Sequence, residues 1–250
     1  MTNNNMNFQD LLKSEQFAKT TAILPIILGT DLLNIPVIKD LNTFPHLLIG
    51  GKTGAGKTVL LKNIYESLSS KFTAKQCKFI IIDPKAYDFE TYNEKKNLLI
   101  PVITAPNYAF NVFKDILELM NERYEILDKN QIRNITEYNK EHNDMPYLVI
   151  IIDEIADFIA LNNEKFETFF KTISSKARKV GIHLIMATQR LNRDDFTHVN
   201  EDIPVKICFK TSKENSELFL GENGAESLLP YGDMLYSEPG RPIKHIKCIK

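Results

Sequence analysis

The chain has 250 residues, of which 43% are hydrophobic and 25% charged, a composition typical of a soluble globular protein. A formal net charge of −1 and a pI near 6.5 exclude a general electrostatic attraction to nucleic acid or anionic lipid, so a polyanionic partner needs a local basic surface. The three cysteines include no CxxC pair, which disfavours a zinc site or a disulfide framework and suits a reducing cytosol.

The amino-terminal segment has neither the basic region nor the apolar core of a signal peptide, and no apolar run approaches the ~20 residues that span a bilayer. We therefore expect a cytoplasmic protein with a single domain over 1–250, in which 1–44 form a lead-in and 45–250 the main fold. The lead-in is predicted to contain a helix at 8–19 and then two short strands, with turns at Gly29 and Asn34.

From Pro45 onward, apolar strands alternate with amphipathic helices. Strands are predicted at 46–50, 78–83, 147–153, 183–188 and 205–209, with two closing strands in 233–237 and 243–249. Helices are predicted at 57–69, 108–128, 133–141 and 164–179. Continuous Val, Ile and Leu runs between helices indicate an α/β fold, with a mostly parallel sheet covered on both faces. Because ligands bind such sheets at the carboxyl ends of the strands, the loops after residues 50, 83, 153 and 188 are expected to meet at one site.

A glycine-rich motif, GKTGAGKT, follows the first strand of the main fold and matches the phosphate-binding pattern GxxxxGK[ST]. In such a loop, backbone N–H groups and the helix N-terminus hold the phosphates of a nucleoside triphosphate, Lys57 reaches the β and γ phosphates, and the Thr58 hydroxyl coordinates Mg²⁺. Gly54 lets the backbone approach the anion closely. The predicted nucleotide-binding residues are Gly51, Lys52, Thr53, Gly54, Ala55, Gly56, Lys57, Thr58 and Val59.

Two acidic residues follow the apolar run 148–152. Asp153, at the tip of a buried strand beside a phosphate loop, is placed to hold Mg²⁺ partly through water, and Glu154 can act as a general base on the attacking water. Gln189 ends another strand, where its side chain could contact the γ-phosphate and so sense whether that phosphate is present. For Asp153 and Glu154, the alternative is that the two acids only solvate the end of a strand. For Gln189, the alternative is an ordinary polar loop after a buried strand. For Asp83, capping of the chain and a nucleotide role both stay open.

The stretch from residue 171 to 193 contains six basic residues and no acidic one, and it alone could neutralise the phosphates of a polyanion. These residues are Lys171, Lys176, Arg178, Lys179, Arg190 and Arg193. The candidate contacts to nucleic acid are Lys176, Arg178, Lys179 and Arg193. The alternative is a solvated helix face whose cations complement the helix dipole. His183, on an apolar strand, is expected to pack in the core.

These motifs, in this order, resemble the motor domain of the FtsK/SpoIIIE family of DNA translocases. The resemblance covers almost the whole chain and rests on LGTDLLNIPVIKDLNTFPHLLIGGKTGAGKT, FIIIDPKAYDF, MNERYEIL, YLVIIIDEIADFI, KARKVGIHLIMATQR, IPVKICF and NGAESLLPYGDMLY. It implies a RecA-like P-loop fold, hexameric rings and ATP-driven pumping of double-stranded DNA. By motif, it makes 51–58 the Walker A loop, Asp153 and Glu154 the Walker B pair, and Gln189 the polar sensor.

The chain departs from the family's pattern at three points. An arginine finger is expected after IPVKICF, but the matching position is Glu217, which cannot stabilise charge on a transferred phosphoryl group. Lys213, Arg190 or Arg193 could take over, turnover could be slow, or the ring could be built differently. The proline expected after ATQR is Leu191. The chain also has no room for the family's membrane anchor or its winged-helix reader of DNA polarity, so a membrane link would come from other segments or partners.

We expect an ATP-driven translocase motor that acts on double-stranded DNA, in chromosome or plasmid partition or in conjugative transfer. Two alternatives stay open. One is a type VII secretion ATPase of EssC type, which shares the fold but acts on protein. The other is an assembly module that binds ATP and oligomerises but hydrolyses little, an alternative supported by Glu217.

Overall fold

The computed structural model describes residues 6–190 and 199–250 of the chain, apart from the side chains of residues 162 and 163. Within these residues, nine strands form one sheet. The strands are β1 (Pro25–Thr30), β2 (Pro36–Asp40), β3 (His46–Gly50), β4 (Cys77–Ile82), β5 (Tyr147–Asp153), β6 (Ile182–Thr188), β7 (Lys206–Phe209), β8 (Asp233–Ser237) and β9 (Lys244–Lys247).

Most of the helices that lie wholly within the described residues connect one parallel strand to the next along the chain. The helices wholly within these residues are α1 (Phe8–Leu12), α2 (Glu15–Ala18), α3 (Lys57–Lys71), α4 (Pro106–Lys129), α5 (Ile135–Glu141), α6 (Ala156–Lys176) and α7 (Lys213–Leu220). Short 3₁₀ helices occupy Glu90–Glu94, Ala177–Val180 and Ala225–Ser227.

The sheet has the spatial order β2-β1-β9-β8-β7-β3-β6-β5-β4. The half containing β7, β3, β6, β5 and β4 is parallel, whereas β8, β9, β1 and β2 extend it in antiparallel fashion. Every residue of β3, β5 and β6 is buried, as expected for apolar strands covered on both faces. The predicted α/β class with a mostly parallel core is confirmed.

Helices α4 and α6 pack together through an aromatic cluster beside the parallel strands. Phe113 stacks on Phe169 with ring centroids 4.1 Å apart, and Phe158 and Phe166 surround the same pair. The buried Arg123 of α4 donates to the carbonyl oxygens of two chain segments that lead into β5 and β6, so it fixes α4 against the sheet. The apolar core is thus continuous from the sheet into this helical layer.

Two predicted features of the chain differ from the observed ones. The helix expected at 8–19 is two short helices, because the Ser14 side chain accepts from the N–H of Phe17 and caps a new helix there. Gly29 is not in a turn: it lies inside β1 at a bulge with φ of +148°, and a Cβ there would overlap the carbonyl of Lys247 on β9. The turn lies at 31–35, and Asn34 has the positive φ.

The predicted helix at 164–179 begins earlier than its sequence suggested. Helix α6 starts at Ala156, only two residues after β5, and its regular part ends at Lys176. None of the helices that the structure describes combines the length and the apolar composition needed to cross a bilayer.

The three cysteines of the chain, Cys77, Cys208 and Cys248, are free and buried. Burial raises the pKa of each thiol to about 12. Each therefore behaves as a small apolar side chain of the core.

Candidate active site

The glycine-rich loop runs from the end of β3 to the start of α3 and lies over Phe209 of β7. Gly51 and Gly56 have φ values of +147° and +125°. A Cβ on Gly51 would lie 2.7 Å from Cβ of Phe209, and one on Gly56 would lie 2.9 Å from Cε1 of the same ring. Glycine is needed at both positions because the backbone has a positive φ and because a Cβ would overlap Phe209. Gly54, at φ +74°, faces open space, where an anion can reach the backbone.

Lys57, the first residue of α3, is only 7% exposed. Its Nζ donates to the carbonyl oxygens of Gly51 (2.7 Å) and Lys52 (3.0 Å), so that the side chain folds back along the loop. Burial lowers the pKa of Lys57, and the nearby carboxylates of Glu154 and Asp153 act in the opposite direction. The site thus holds a poorly solvated cation that an added anion would stabilise.

Thr58 and Asp153 form an oxygen pair next to Lys57. The Thr58 hydroxyl lies 3.4 Å from Oδ2 of Asp153, which is buried at the end of β5. Burial raises the pKa of Asp153 to about 6, although Lys85 opposes the shift. A buried carboxylate beside a hydroxyl fits Mg²⁺, which takes few protein ligands and keeps most of its water or phosphate oxygens. No group of three or more His, Cys, Asp or Glu side chains suited to a metal occurs within residues 6–190 and 199–250.

Glu154 is held by the end of the neighbouring strand β6. Its Oε1 accepts from the Thr188 hydroxyl at 2.7 Å, and its Oε2 accepts from the backbone N–H of Gln189 at 3.1 Å. Its backbone φ is +123°, an unusual value for a side chain with a Cβ. Gln189 in turn contacts the glycine-rich loop, because the Thr53 hydroxyl donates to its Oε1. The tip of β6 therefore links the carboxylate to the phosphate loop.

Lys57, Thr58, Asp153 and Gln189 lie around one cavity of about 490 Å³ at the carboxyl ends of the parallel strands, and Glu154 lies beside it. The cavity is lined by Thr53, Gly54, Gly56, Lys57, Thr58, Val59, Lys85, Asp88, Asp153, Gln189, Tyr231, Gly232, Cys248 and Lys250. The loops after β3, β4, β5 and β6 meet there, as the topology predicts. Gly51 and Ala55 are buried residues of the loop and do not line the cavity. The carbonyl oxygen of Lys52 accepts from Lys57.

Sequence reasoning missed the part of the cavity formed by Tyr231, Gly232, Cys248 and Lys250. The available signal was an aromatic residue directly beside Pro230 and Gly232 in LLPYGDM, because a Pro–Tyr–Gly run marks a turn rather than a strand or helix that would bury the ring. Asp83 caps the chain after β4: its carboxylate accepts from the N–H groups of Lys85 (3.1 Å) and Asp88 (3.0 Å). His183 is fully buried, as expected for a core residue.

The basic stretch does not form one surface in the described residues. Lys176, Arg178 and Lys179 are exposed at the junction of α6 and β6, where the amino end of β6 begins, and Arg178 donates to the carbonyl of Asn42 at 3.0 Å. Arg190 follows the opposite end of β6 and lies 3.8 Å from Asp157. Two sequence-predicted positions of interest, Leu191 and Arg193, lie outside the described residues. Glu217 is exposed on α7.

A phosphate loop on a buried strand, with acidic and polar residues at the neighbouring strand tips, defines a domain of the RecA-like P-loop class. The model of the FtsK/SpoIIIE family matches residues 7–193. The chain belongs to this family.

Curated relatives match almost all of this chain. It is 37% identical over 264 residues to the DNA translocase FtsK of Haemophilus ducreyi, in an alignment with 94% of this chain and 28% of that protein. It is 38% identical over 245 residues to the DNA translocase FtsK of Treponema pallidum, with 94% and 31% covered. The chain thus spans roughly a third of the length of these relatives.

Solved structures share the fold. The cytoplasmic domain of the type VII secretion ATPase EccC from Thermomonospora curvata has a TM-score of 0.86 at 22% identity, over 98% of this chain and 32% of that one. The pCW3 conjugation coupling protein TcpA, in a monomer form with ATPγS, has a TM-score of 0.81 at 24% identity, over 94% and 68%. At these identities the likeness is one of fold.

Proposed function

We propose that this chain is the ATPase motor of a double-stranded DNA translocase. The observation that carries the proposal is the meeting of Lys57, Thr58, Asp153 and Gln189 in one cavity, with Glu154 beside it, in a chain of the FtsK/SpoIIIE family. The relatives named above are DNA translocases, which favours DNA over protein as the substrate. The structural neighbours include both a secretion ATPase and a conjugation coupling protein, and they do not discriminate.

Each residue of the cavity has a proposed part in hydrolysis. The N–H groups of the glycine-rich loop and the Lys57 ammonium bind the phosphates, and the Thr58 hydroxyl and the Asp153 carboxylate hold Mg²⁺, which would neutralise developing phosphate charge when bound. Glu154 leaves the Thr188 hydroxyl and takes a proton from the attacking water. Gln189 then reports the γ-phosphate to the loop through Thr53.

The motor is proposed to work as a ring of copies in the cytoplasm, with a hexamer as the expected size and with membrane attachment, where it exists, through other segments or partners. DNA would meet a local basic surface, because the chain as a whole carries a net charge of −1. Lys176, Arg178 and Lys179 are the candidate contacts within the described residues, and Lys140 lies in the same surface depression as the last two. Conjugative transfer and chromosome or plasmid partition are the proposed settings.

The experiment is an ATPase assay with and without double-stranded DNA over a series of salt concentrations, with Lys57→Ala as the blank. Stimulation by DNA that falls steeply with salt supports a translocase, because phosphate contacts release counterions. Stimulation by a peptide without any response to DNA would favour a secretion ATPase. Near-zero turnover by an oligomer that binds ATP would favour an assembly module.

The DNA contacts are tested by neutralising Lys176, Arg178 and Lys179 to glutamine together. If each side chain neutralises a phosphate, the slope of log affinity for DNA against log salt falls by about 0.9 for each charge removed. Lys114→Gln is the matched control, because Lys114 is an exposed lysine on α4 whose nearest ion pair is with Glu118 at 3.7 Å. An unchanged slope in the triple variant would remove these residues from the DNA-binding surface.

A further inference from the structure

Tyr231 is a large aromatic residue with unusual placement. The residue is 82% exposed, yet it lines the cavity of the candidate active site. Its backbone has φ of +67°, in the left-handed region that disfavours a residue with a Cβ. An exposed ring gains little from packing, so burial of the ring does not offset this strain. Strain of this kind is common where a residue is held in position for a ligand.

The turn that carries Tyr231 is fixed to the phosphate loop. The N–H of Gly232 donates to the carbonyl of Ala55 at 3.0 Å, and the N–H of Cys248 donates to the carbonyl of Gly232 at 2.8 Å. The backbone of Gly232 also lies 3.3 Å from where a Cβ of Gly56 would be. The backbone at Tyr231 therefore has a set position relative to any phosphate that the loop binds, and its side chain starts from the edge of the cavity.

The sheet order places Tyr231 on the opposite side of the loop from the acidic residues. β3, which leads into the loop, is flanked by β6, β5 and β4 on one side and by β7 and β8 on the other. Asp153 and Gln189 follow β5 and β6, whereas Tyr231 precedes β8. The cavity extends to both sides. A triphosphate whose terminal phosphate faces Asp153 would direct the rest of the nucleotide toward Tyr231.

The Tyr231 end of the cavity combines an aromatic ring with small and apolar side chains and one lysine. Its other lining residues are Val59, Gly232, Cys248 and Lys250, so it has room for a flat group that can stack on the ring. We propose that Tyr231 stacks on the nucleobase of the bound nucleotide and favours a purine, whose larger face stacks more strongly than that of a pyrimidine. The inference rests on the proposed binding of a nucleoside triphosphate and adds a residue that discriminates between bases.

The test compares binding of ATP, CTP and inorganic tripolyphosphate by the wild-type chain and by Tyr231 variants. Tyr231→Ala is expected to weaken ATP binding by about 5- to 150-fold, the range typical of removing one base–aromatic stack, and to leave tripolyphosphate binding unchanged. Tyr231→Phe keeps the ring and retains ATP affinity. Tyr87→Ala is the matched control, because Tyr87 is 87% exposed and lies between two lining residues without lining the cavity itself.

A second variant separates the ring from the fold. Tyr231→Gly accommodates the positive φ and removes the ring, so it should show the same loss of ATP affinity as Tyr231→Ala with an undiminished melting temperature. Equal losses for ATP and tripolyphosphate would overturn the proposal, since the ring would then only shape the loop. So would an unchanged preference for ATP over CTP in Tyr231→Ala.

The outcome is independent of the DNA assay. If Tyr231 variants lose ATP selectively while DNA never stimulates the wild-type chain, the base contact stands and the translocase proposal fails. If DNA stimulates turnover and Tyr231→Ala binds ATP normally, the base contact is wrong and the translocase proposal stands.

Discussion

Lys57 combines two demands that oppose each other in the absence of nucleotide. Its ammonium is buried against the carbonyl oxygens of Gly51 and Lys52, which are weaker partners than a carboxylate in direct contact. Desolvation of the charge costs free energy, and the lowered pKa of Lys57 expresses that cost. A bound triphosphate would offset it through charge-assisted hydrogen bonds. Stability without ligand and affinity for ligand therefore depend on this side chain with opposite signs.

Lys57→Met keeps the length of the side chain and removes its charge. We expect the free energy of unfolding without nucleotide to stay unchanged or to rise by up to about 2 kcal/mol, because a buried cation is replaced by an apolar group. The rise in melting temperature on adding ATP should disappear. Denaturant unfolding and thermal melts with and without ATP measure both effects.

Lys62→Met on the same helix is the control for this substitution. Lys62 is half-buried over the ring of Phe89, 5.5 Å from its centroid, and it does not line the cavity. The ATP-dependent rise in melting temperature should persist in this variant. A Lys57→Met protein that is destabilised by several kcal/mol would show that the ammonium stabilises the empty loop.

At the scale of single elements, β3 and β6 carry two buried histidines. Nδ1 of His46 accepts from the backbone N–H of Leu184 at 3.1 Å, which requires a neutral ring. Nδ1 of His183 lies 3.2 Å from the carbonyl of Pro45, and among the residues that the structure describes Nε2 of His183 has no hydrogen-bond partner. Burial lowers the pKa of His46 to about 4 and that of His183 to about 3. Both rings are therefore neutral in the folded protein at pH 6.

The two histidines should make the protein less stable as the pH falls below about 6.5. In that range the unfolded chain binds protons that the folded chain refuses, so each ring reduces the free energy of unfolding by up to about 1.4 kcal/mol per pH unit, down to its folded pKa. Asp153 acts in the opposite direction between about 6 and 3.8, because its raised pKa lets the folded state take up a proton first. Two histidines thus lower the free energy of unfolding and one aspartate raises it, so the net loss of stability is about that of one histidine.

His183→Gln isolates one histidine. In urea unfolding at pH 7.0, 6.0 and 5.0, the free energy of unfolding of this variant should depend less steeply on pH than that of the wild type. The difference in slope should correspond to the uptake of about one proton fewer on unfolding. His245→Gln serves as the control, since His245 is partly exposed on β9 beside Asp233. If the slope is equal in His183→Gln and the wild type, the ring is protonated in the folded protein as easily as in the unfolded chain.

The sequence predicted the strands of the main fold well because their Val, Ile and Leu runs are buried on both faces. It predicted the start of α6 poorly, because the first turns of this helix follow almost directly on the apolar run of β5 and begin without a capping side chain that would mark the start. In the fold, Glu154 absorbs the sharp change of direction through its positive φ, and the helix begins at once. The bulge at Gly29 depends on β9, more than 200 residues away, so no local signal marks it.

The candidate site also contains residues that the sequence predicted and residues that it could not predict. The loop of Lys57 and Thr58 and the acids after β5 belong to patterns that specify chemistry by spacing alone. Tyr231 enters the cavity only because β8 lies two strands from β3 in the sheet, and this order cannot be deduced from the segment itself. The contact of Glu154 with Thr188 depends likewise on the pairing of β5 with β6.

At the scale of the whole molecule, Glu217 bears on how copies of the chain would work together. It is exposed in the middle of α7, which begins at a Ser212 cap directly after β7. It does not line the cavity of its own chain. The resemblance to DNA translocases implies a cation near this position that reaches the site of the next subunit. A glutamate there would face the phosphates of a neighbour with the wrong charge.

Glu217→Arg is therefore expected not to lower DNA-stimulated ATP turnover, and to raise it if α7 faces a neighbouring cavity. The measurement is the ATPase rate at saturating DNA over a range of protein concentrations, since an effect between subunits grows with assembly. Glu214→Arg, one turn earlier on the exposed side of α7, is the control. A collapse of turnover in Glu217→Arg alone would show that the carboxylate itself is needed.

The buried cysteines make the chain ready for site-specific labelling. Thiol reagents attack the thiolate, and Cys77, Cys208 and Cys248 are buried and held protonated at neutral pH, although Cys248 lies at the wall of the cavity. A single cysteine introduced at an exposed position outside the proposed DNA contacts, such as that of Lys114 on α4, would then react in their place. A fluorophore attached there could follow individual molecules on stretched DNA without first removing a native residue from the core.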